Sequence, residues 1–574
     1  MKHFTHMKIA FQAMKRNCQS SVDLGKIKEG RFLLKRGLYL LLVLALIMTA
    51  FAGCSQPAQE EEEVAEVTPE EVVKDLRVRQ ALTLAIDRRA IVEEVAKGGQ
   101  LPATGYVPPG LTDSEGNEFR TVNGDFGIDP NGAKVEEAKA LLAEAGFPDG
   151  EGFPVIEILY NTSEGHKAIA EAIQEMWKKN LNIDVTLQNQ EWAVFQDTRH
   201  EGNFAVARAG WLGDYPDPMT FLDLFTSYSG NNDAHWYSDE FDKLIEDSKT
   251  ASGKERDEML YKAEQLMMED LIVMPIYYYT NPIMVQDRVE GWEVTGLGHW
   301  YFGKASTDDG VLYWNVGADP KTIDPGLNSA NDGGHVINNT FEGLMREVGG
   351  NLVPAMAESY EMSEDGLTYT FHLRDAKWSD GEPVTASDFE YAWKRALSPE
   401  VASEYGFQMF YIKGAQEFYD GEGTIEDVAI EVVDEKTLTV ELTGPTPYFL
   451  DLTAFYTYMP VRKDVVEQKA EGWAKDSELT VSNGPFVLAD YKTGDKIVLE
   501  PNEYYWNKDE VKIDRIEGFM IVDESTQLTA FEAGEMDVID NIPNQEIPRL
   551  LAEDDRFEIK PILGTYYYLF NLME

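Results

Sequence analysis

The chain has 574 residues, more than one hydrophobic core can organise, so two or three domains are expected. Hydrophobic residues make up 43% and aromatic residues 11%, ample for packed globular domains. With 50 basic against 102 acidic residues the formal charge is −52, a field that repels nucleic acid and anionic membrane and sets both aside as partners.

Only two cysteines occur, Cys18 and Cys54, so no disulfide framework is expected in the globular part. Arg31, Lys35 and Arg36 precede an apolar run, Leu38–Phe51. That run is shorter than the about 20 residues a membrane span needs and suits the core of a signal peptide behind basic residues. It ends Phe51-Ala52-Gly53-Cys54, which resembles a bacterial lipoprotein box with Cys54 as the lipidated residue, although Phe51 departs from the usual leucine. Residues 1–54 are read as a lipoprotein signal with an N-terminal extension; a plain membrane anchor is the competing reading. Residues 55–74, with four acids at Glu60–Glu63, read as a solvated tether.

From Asp75 to Val95 the apolar spacing is helical, with a break at Asp87 that predicts a cap on a second helix. Lys134–Ala145 is a further helix, stopped by Gly146. Val155–Tyr160, His166–Asn180 and Ile183–Leu187 read as strand, helix and strand, a βαβ unit with a parallel pair. Trp192–Arg199 predicts a short helix and Phe204–Ala209 a strand. GDYPDP is a loop, because Pro216 and Pro218 push the residues before them out of the α region. Phe241–Ile245 and Lys254–Met268 read as helices and Val273–Tyr279 as a buried strand. After Gly310 strands dominate: Leu367–Leu373, Thr437–Leu442 and a hairpin over Val481–Tyr491 and Lys496–Trp506, with one clear helix from Ala386 to Ala396 behind Thr385. The first half is therefore α/β and the second α+β.

The stretch Asn189–Phe225 places Trp192, Trp211, Arg199, Arg208 and Asp214 within about two dozen residues. Its ARAGWLGDYPDP run resembles the signature of the extracytoplasmic oligopeptide-binding proteins that feed ABC importers, solute-binding family 5, peptide/nickel class. The resemblance implies a two-lobed periplasmic-binding-protein-like fold (type II), with mixed sheets in each lobe and an extra inserted α+β domain. It implies that Asp214 pairs the α-amino group of a peptide. Arg199, Arg208 and His166 match positions that meet the peptide's carboxylate, and Trp192 and Trp211 match pocket walls; Tyr215 of the same motif joins the set. Asn483-Gly484 and Tyr566–Tyr568 are weaker candidates for the opposing wall. The peptide is expected to lie extended and bond to backbone. Each residue also has a bland reading: a loop acid, core tryptophans, a helix-end histidine, a surface arginine. Arg208 is the least easily read so, since a charge within an apolar strand needs a partner.

The resemblance covers nearly all of Asp75–Asn571, but in circularly permuted order. The segment resembling the family's mature start, VLYWNVGADPKTIDP, begins at Val311, and LGTYYYLFN, which the family joins directly to DLRVRQALTLAIDR, sits at Leu563–Asn571. A true permutant and a rearranged or misassembled gene both explain this. The implied division is a ligand-binding lobe at 75–279, a second lobe at 280–349 and 471–574, and an inserted domain at 350–470. No HxxxH, HExxH, GxSxG or phosphate-loop motif occurs, so no catalytic centre, metal or cofactor is expected. The expected role is a monomeric, exported, lipid-anchored protein that carries oligopeptides to a membrane permease. A nickel chelate, sugar or modified peptide is the alternative ligand, and a secreted hydrolase using acids such as Asp214 and Asp217 is the rival class.

Overall fold

In the computed structural model, which describes residues 67–573 apart from Glu471, the chain folds from Thr68 onward. The expected signal, Cys54 and the tether as far as residue 66 lie outside the described residues. The end of that tether belongs to the folded body. Thr68 and Glu71 cap the turn Pro69–Val72 reciprocally, and Val72 and Val73 are buried beneath it. The stretch is acidic on its solvent side only, and its two adjacent valines are what the core takes.

The first lobe opens with α1 (Leu76–Leu84), capped by Asp75; Asp87 caps the next turn, as the break in spacing predicts. Helix α2 (Val135–Glu144) follows. Strand β1 (Ile156–Asn161), helix α3 (Glu164–Leu181) and strand β2 (Val185–Gln190) form the βαβ unit, with β1 and β2 parallel. Trp177 on α3 is fully buried and donates its indole N–H to the Leu82 carbonyl at 2.9 Å, pinning α3 to α1. Helix α4 (Trp192–His200) leads into strand β3 (Val206–Leu212), then helices α5 (Asp239–Thr250) and α6 (Gly253–Glu269). Strand β3 begins and ends later than its sequence pattern predicts and carries Gly210 and Trp211 within the ladder.

Strand β4 (Val273–Val285) leaves this lobe and runs into the second, which contains β5 (Val311–Asn315) and α7 (Asn331–Thr340). The inserted domain is an antiparallel sheet of β6 (Ala357–Met362), β7 (Thr368–Leu373), β8 (Ile430–Asp434) and β9 (Thr437–Glu441), in the order β6-β7-β9-β8, with α8 (Ala386–Ala396). The chain returns as β10 (Phe486–Lys492), β11 (Lys496–Pro501), β12 (Arg515–Phe519), helix α9 (Glu524–Glu532), β13 (Val538–Ile539) and β14 (Phe557–Phe570).

The class is mixed α/β, but the lobes do not have separate sheets. One eleven-stranded sheet runs β10-β11-β12-β5-β13-β4-β14-β3-β1-β2, with Leu101–Pro102 paired to β4 off that path. The second half of β14 pairs with β3 from Gly564 to Phe570, so the C-terminal strand completes the first lobe, against the division that gave 471–574 to the second. Its TYYYLF run is buried without a break, as a strand covered on both faces demands. Strands β4 and β14 thus cross together between lobes. Their ladder shifts register twice: at Ile562–Gly564 of β14, which face only Tyr279 of β4, and again between Tyr566 and Tyr567.

Candidate functional site

Strand β3 sits in the sheet between β14 and β1, so its middle is enclosed on both edges. Arg208 is only 8% exposed there. Its guanidinium donates to the Tyr279 hydroxyl at 2.7 Å and reaches Asn161 Oδ1 at 3.4 Å, and it lies 4.8 Å above the Tyr566 ring. Gly210 makes room for this, because a Cβ there would collide with the Tyr279 hydroxyl and approach the guanidinium. Burial works against the charge, but Tyr279, Tyr566 and Tyr277 outweigh it and hold the pKa above its ordinary value. Among the described residues no carboxylate lies within ion-pair distance of Arg208, and its Nε is enclosed without a partner.

Arg208 borders a cavity of about 400 Å³ between the lobes. His166 and Trp192 line it too. Ser163 caps α3 by accepting from the His166 backbone N–H at 3.2 Å, which fixes His166 at the rim; its Nδ1 lies 3.4 Å from the Tyr566 hydroxyl. Burial and the neighbouring Arg208 charge push His166 well below its usual pKa, so its ring is neutral. Trp192 stacks on Phe195 and donates its indole N–H across the cleft to Asp332 Oδ1 at 3.2 Å. Glu524, from the second lobe, accepts from Ser163 Oγ at 2.6 Å and from the Gly165 N–H at 3.2 Å, placing an anion on the N-terminus of α3. The second lobe also lines this cavity with Asp332 and Asp540, both pushed up to about 6 by burial.

A second cavity, of about 370 Å³, adjoins the first at Ile562, beside the break in the β4–β14 ladder. Asp214 lines it. Its carboxylate accepts from Gln408 Nε2 at 2.6 Å and from the Tyr405 hydroxyl at 3.4 Å, both neutral donors from the inserted domain. Burial, then the nearby Asp223 charge, pushes it well above the usual carboxylate range. Glu347 and Asp451 line the same cavity and are raised to about 7 and about 6, mainly by burial. Among the described residues no lysine or arginine lines it, and Glu347 Oε2 is enclosed without a partner. The apolar wall includes Leu352, Phe455 and Leu563.

Of the residues singled out in the sequence, Asp214, Arg208, His166 and Trp192 come together on the cleft. The others do not. Arg199 pairs with Asp233 and borders neither cavity. Tyr215 is fully buried, stacked 4.5 Å from Tyr448 with its hydroxyl on Asp223 at 3.0 Å. Trp211 borders neither cavity; it stacks on Tyr405, whose hydroxyl holds Asp214, so it acts behind the wall. Asn483 is buried and bonds both backbone groups of Glu342, and Gly484 abuts Thr340, so neither forms a wall. In Tyr566–Tyr568 the first lies against Arg208 and His166, Tyr568 is paired opposite Arg208 in the β3–β14 ladder, and none of the three borders either cavity. Asp217 is held bidentately by Arg256 at 2.7 and 3.0 Å, which takes it out of any carboxylate pair with Asp214. Glu347, Asp451, Tyr405, Gln408, Tyr279 and Glu524 are contributions that sequence patterns did not show.

The chain matches the profile of the bacterial extracellular solute-binding proteins, family 5 (middle), over residues 56–233 and 351–574. It is 44% identical over 274 residues to the oligopeptide-binding protein OppA of Bacillus subtilis, covering 47% of this chain and 50% of that one. Against the periplasmic oligopeptide-binding protein OppA of Salmonella typhimurium it is 47% identical over 219 residues, covering 38% of this chain and 39% of the other. The chain thus spans about half the length or less of these curated relatives. Among solved structures, Listeria monocytogenes OppA bound to peptide matches with 35% identity and a TM-score of 0.39, over 39% of this chain and 45% of that one.

Proposed function

The chain belongs to the bacterial extracellular solute-binding proteins of family 5, and we propose that it captures short oligopeptides in its interlobe cleft and releases them to an ABC importer. The observation that carries this reading is the polarity of the cleft. One end holds a carboxylate, Asp214, bonded only by neutral donors; the other holds a guanidinium, Arg208, with no acid beside it. An extended peptide with free ends presents the complementary charges. The two groups are six positions apart along β3 and its loop, a span of at most ~20 Å, which four to six extended residues cover. Trp192 and Tyr279 supply aromatic walls that accept varied side chains.

The acids around Asp214 extend the reading to the first side chain. A lysine or arginine there would lay its aliphatic stem on Leu352 and Phe455 and its charge on Glu347 and Asp451. A hydrolase has less support, since Arg256 engages Asp217 and removes the acid pair with Asp214 that such a reading used. Lipid anchoring at Cys54, a monomeric state and docking to a permease complete the proposal. The permuted order is part of it: linear alignments that stop at about half of each relative are what a permuted order produces.

Calorimetry with the tetrapeptide Lys-Ala-Ala-Ala and its N-acetylated twin tests the assignment. Binding of the free peptide, weakened at least tenfold by acetylation and equally by Asp214→Asn, is expected. Equal binding of both peptides would retain a cleft and overturn the role of Asp214; no heat with either would move the ligand outside the peptides.

A further inference from the structure

Helix α4 ends at Arg199 and His200, which face neither cavity and instead reach the junction of the three bodies of the fold. His200 Nδ1 lies 2.6 Å from Asp233 Oδ1 in its own lobe, and its Nε2 lies 3.3 Å from Glu404 Oε2 in the inserted domain. Arg199 takes the other oxygen of Asp233. Glu404 is also reached from the second lobe. Ser329 Oγ donates to it, and Lys321 Nζ lies 3.5 Å from its Oε1 while binding Asp197 of α4 at 2.9 Å. The backbone seats closely as well, for a Cβ on Gly230 would fall 2.8 Å from the Glu404 carbonyl oxygen. A single carboxylate is thus shared by all three bodies.

We propose that His200 and Glu404 form a clasp that holds the lobes shut over the cleft, as positioning residues that set how long a ligand is retained. The inference rests on the peptide reading only for the identity of what is retained. The clasp needs a cationic His200. Burial opposes that charge, yet Asp233 and Glu404 together raise His200 to about 9, and despite burial His200, Ser329 and Lys321 draw Glu404 down to about 2. The other titratable groups at the junction are Arg199 and Lys321, each committed to an acid, Asp197 beneath Lys321, and His235, which burial depresses. Opening removes Glu404 from His200 and lets its pKa fall. Closure therefore takes full benefit from the clasp below the open-state pKa and loses it as pH rises through about 9.

Stopped-flow release of Lys-Ala-Ala-Ala from the full chain, from pH 7 to 10, reads the clasp directly. At pH 7, His200→Gln and Glu404→Gln are each expected to speed release roughly tenfold, and the double variant no further. The ratio of native to His200→Gln release rates, which cancels titration of the peptide's own amino groups, is expected to converge on one as pH passes 9. His200→Arg restores slow release, and its rate relative to His200→Gln is expected to stay constant through pH 9. Native-like release from His200→Gln, or single effects that simply add, would overturn the clasp. If the native chain binds no tetrapeptide, the peptide reading fails and small-angle scattering of the ligand-free chain decides the clasp separately. Expansion of the native chain between pH 7 and 10, with His200→Gln already expanded at pH 7, supports it; superposable curves overturn it.

Discussion

Arg208 shows how one buried charge can be stable without an acid beside it. Tyrosine hydroxyls and a ring face stand in for an anion, leaving the guanidinium fork free to accept one. Arg208→Met is expected to weaken binding of free-acid peptides by about 1.5–3 kcal/mol and leave C-amidated peptides unaffected, measured by calorimetry. Gly210→Ala is expected to act in the same direction by displacing Tyr279 from the fork. At the other end, Glu347 and Asp451 ionise only as pH rises through about 7 and about 6, because burial raises both. The preference for a lysine over a norleucine first residue is therefore expected to grow from pH 5 to 8, and a flat profile would detach these acids from the ligand. Arg208 was legible because a charge flanked by alanines in a strand pattern demands an explanation. The placement of Arg199 and Tyr215 away from the cavities was not legible, because their partners, Asp233 and Asp223, are ordinary acids among 102, and nothing in local spacing marks which of them fold back.

Among the elements, α3 joins stability to the site. Its buried face ends in Trp177, and its capped N-terminus presents His166 and meets Glu524 from the opposite lobe. Trp177→Ala is expected to cost about 3–5 kcal/mol in urea unfolding, since it empties a core position and orphans the Leu82 carbonyl. Ser163→Ala removes only the cap and the bond to Glu524, so a loss of about 0.5–2 kcal/mol is expected, accompanied by weaker peptide binding. Helices and the βαβ unit were readable because their periodicity is local. The single continuous sheet was not. Its decisive pair, β4 with β14, joins residues nearly 300 positions apart, and the three-residue bulge where the cleft opens leaves no periodic trace.

At the scale of the whole molecule, those two crossing strands are the covalent links through which the lobes must bend, and the bulge at Ile562–Gly564 is where their mutual support is weakest. The same strand bears on the permuted order. Phe570 donates its N–H to the Ile272 carbonyl and Leu572 to that of Ala234, while Arg79 ties the carbonyls of Val73 and Lys74 to that of Asp270. The segments around residues 73–75 and 570–572 therefore flank one short turn, and Leu572 packs on the cluster that contains Val72 and Val73. A linker of a few residues can span such a gap at small entropic cost. A reordered chain that starts at Val311, joins residue 573 to residue 67 and ends near Asp309 is expected to melt cooperatively within a few degrees of the original and to bind the same tetrapeptide equally well. Loss of the cooperative melt in the reordered chain alone would mean that the present order is required by the fold. Loss in the present order alone would mean that the contacts around the Asp270–Ile272 turn do not suffice to hold a broken β14-to-α1 connection together.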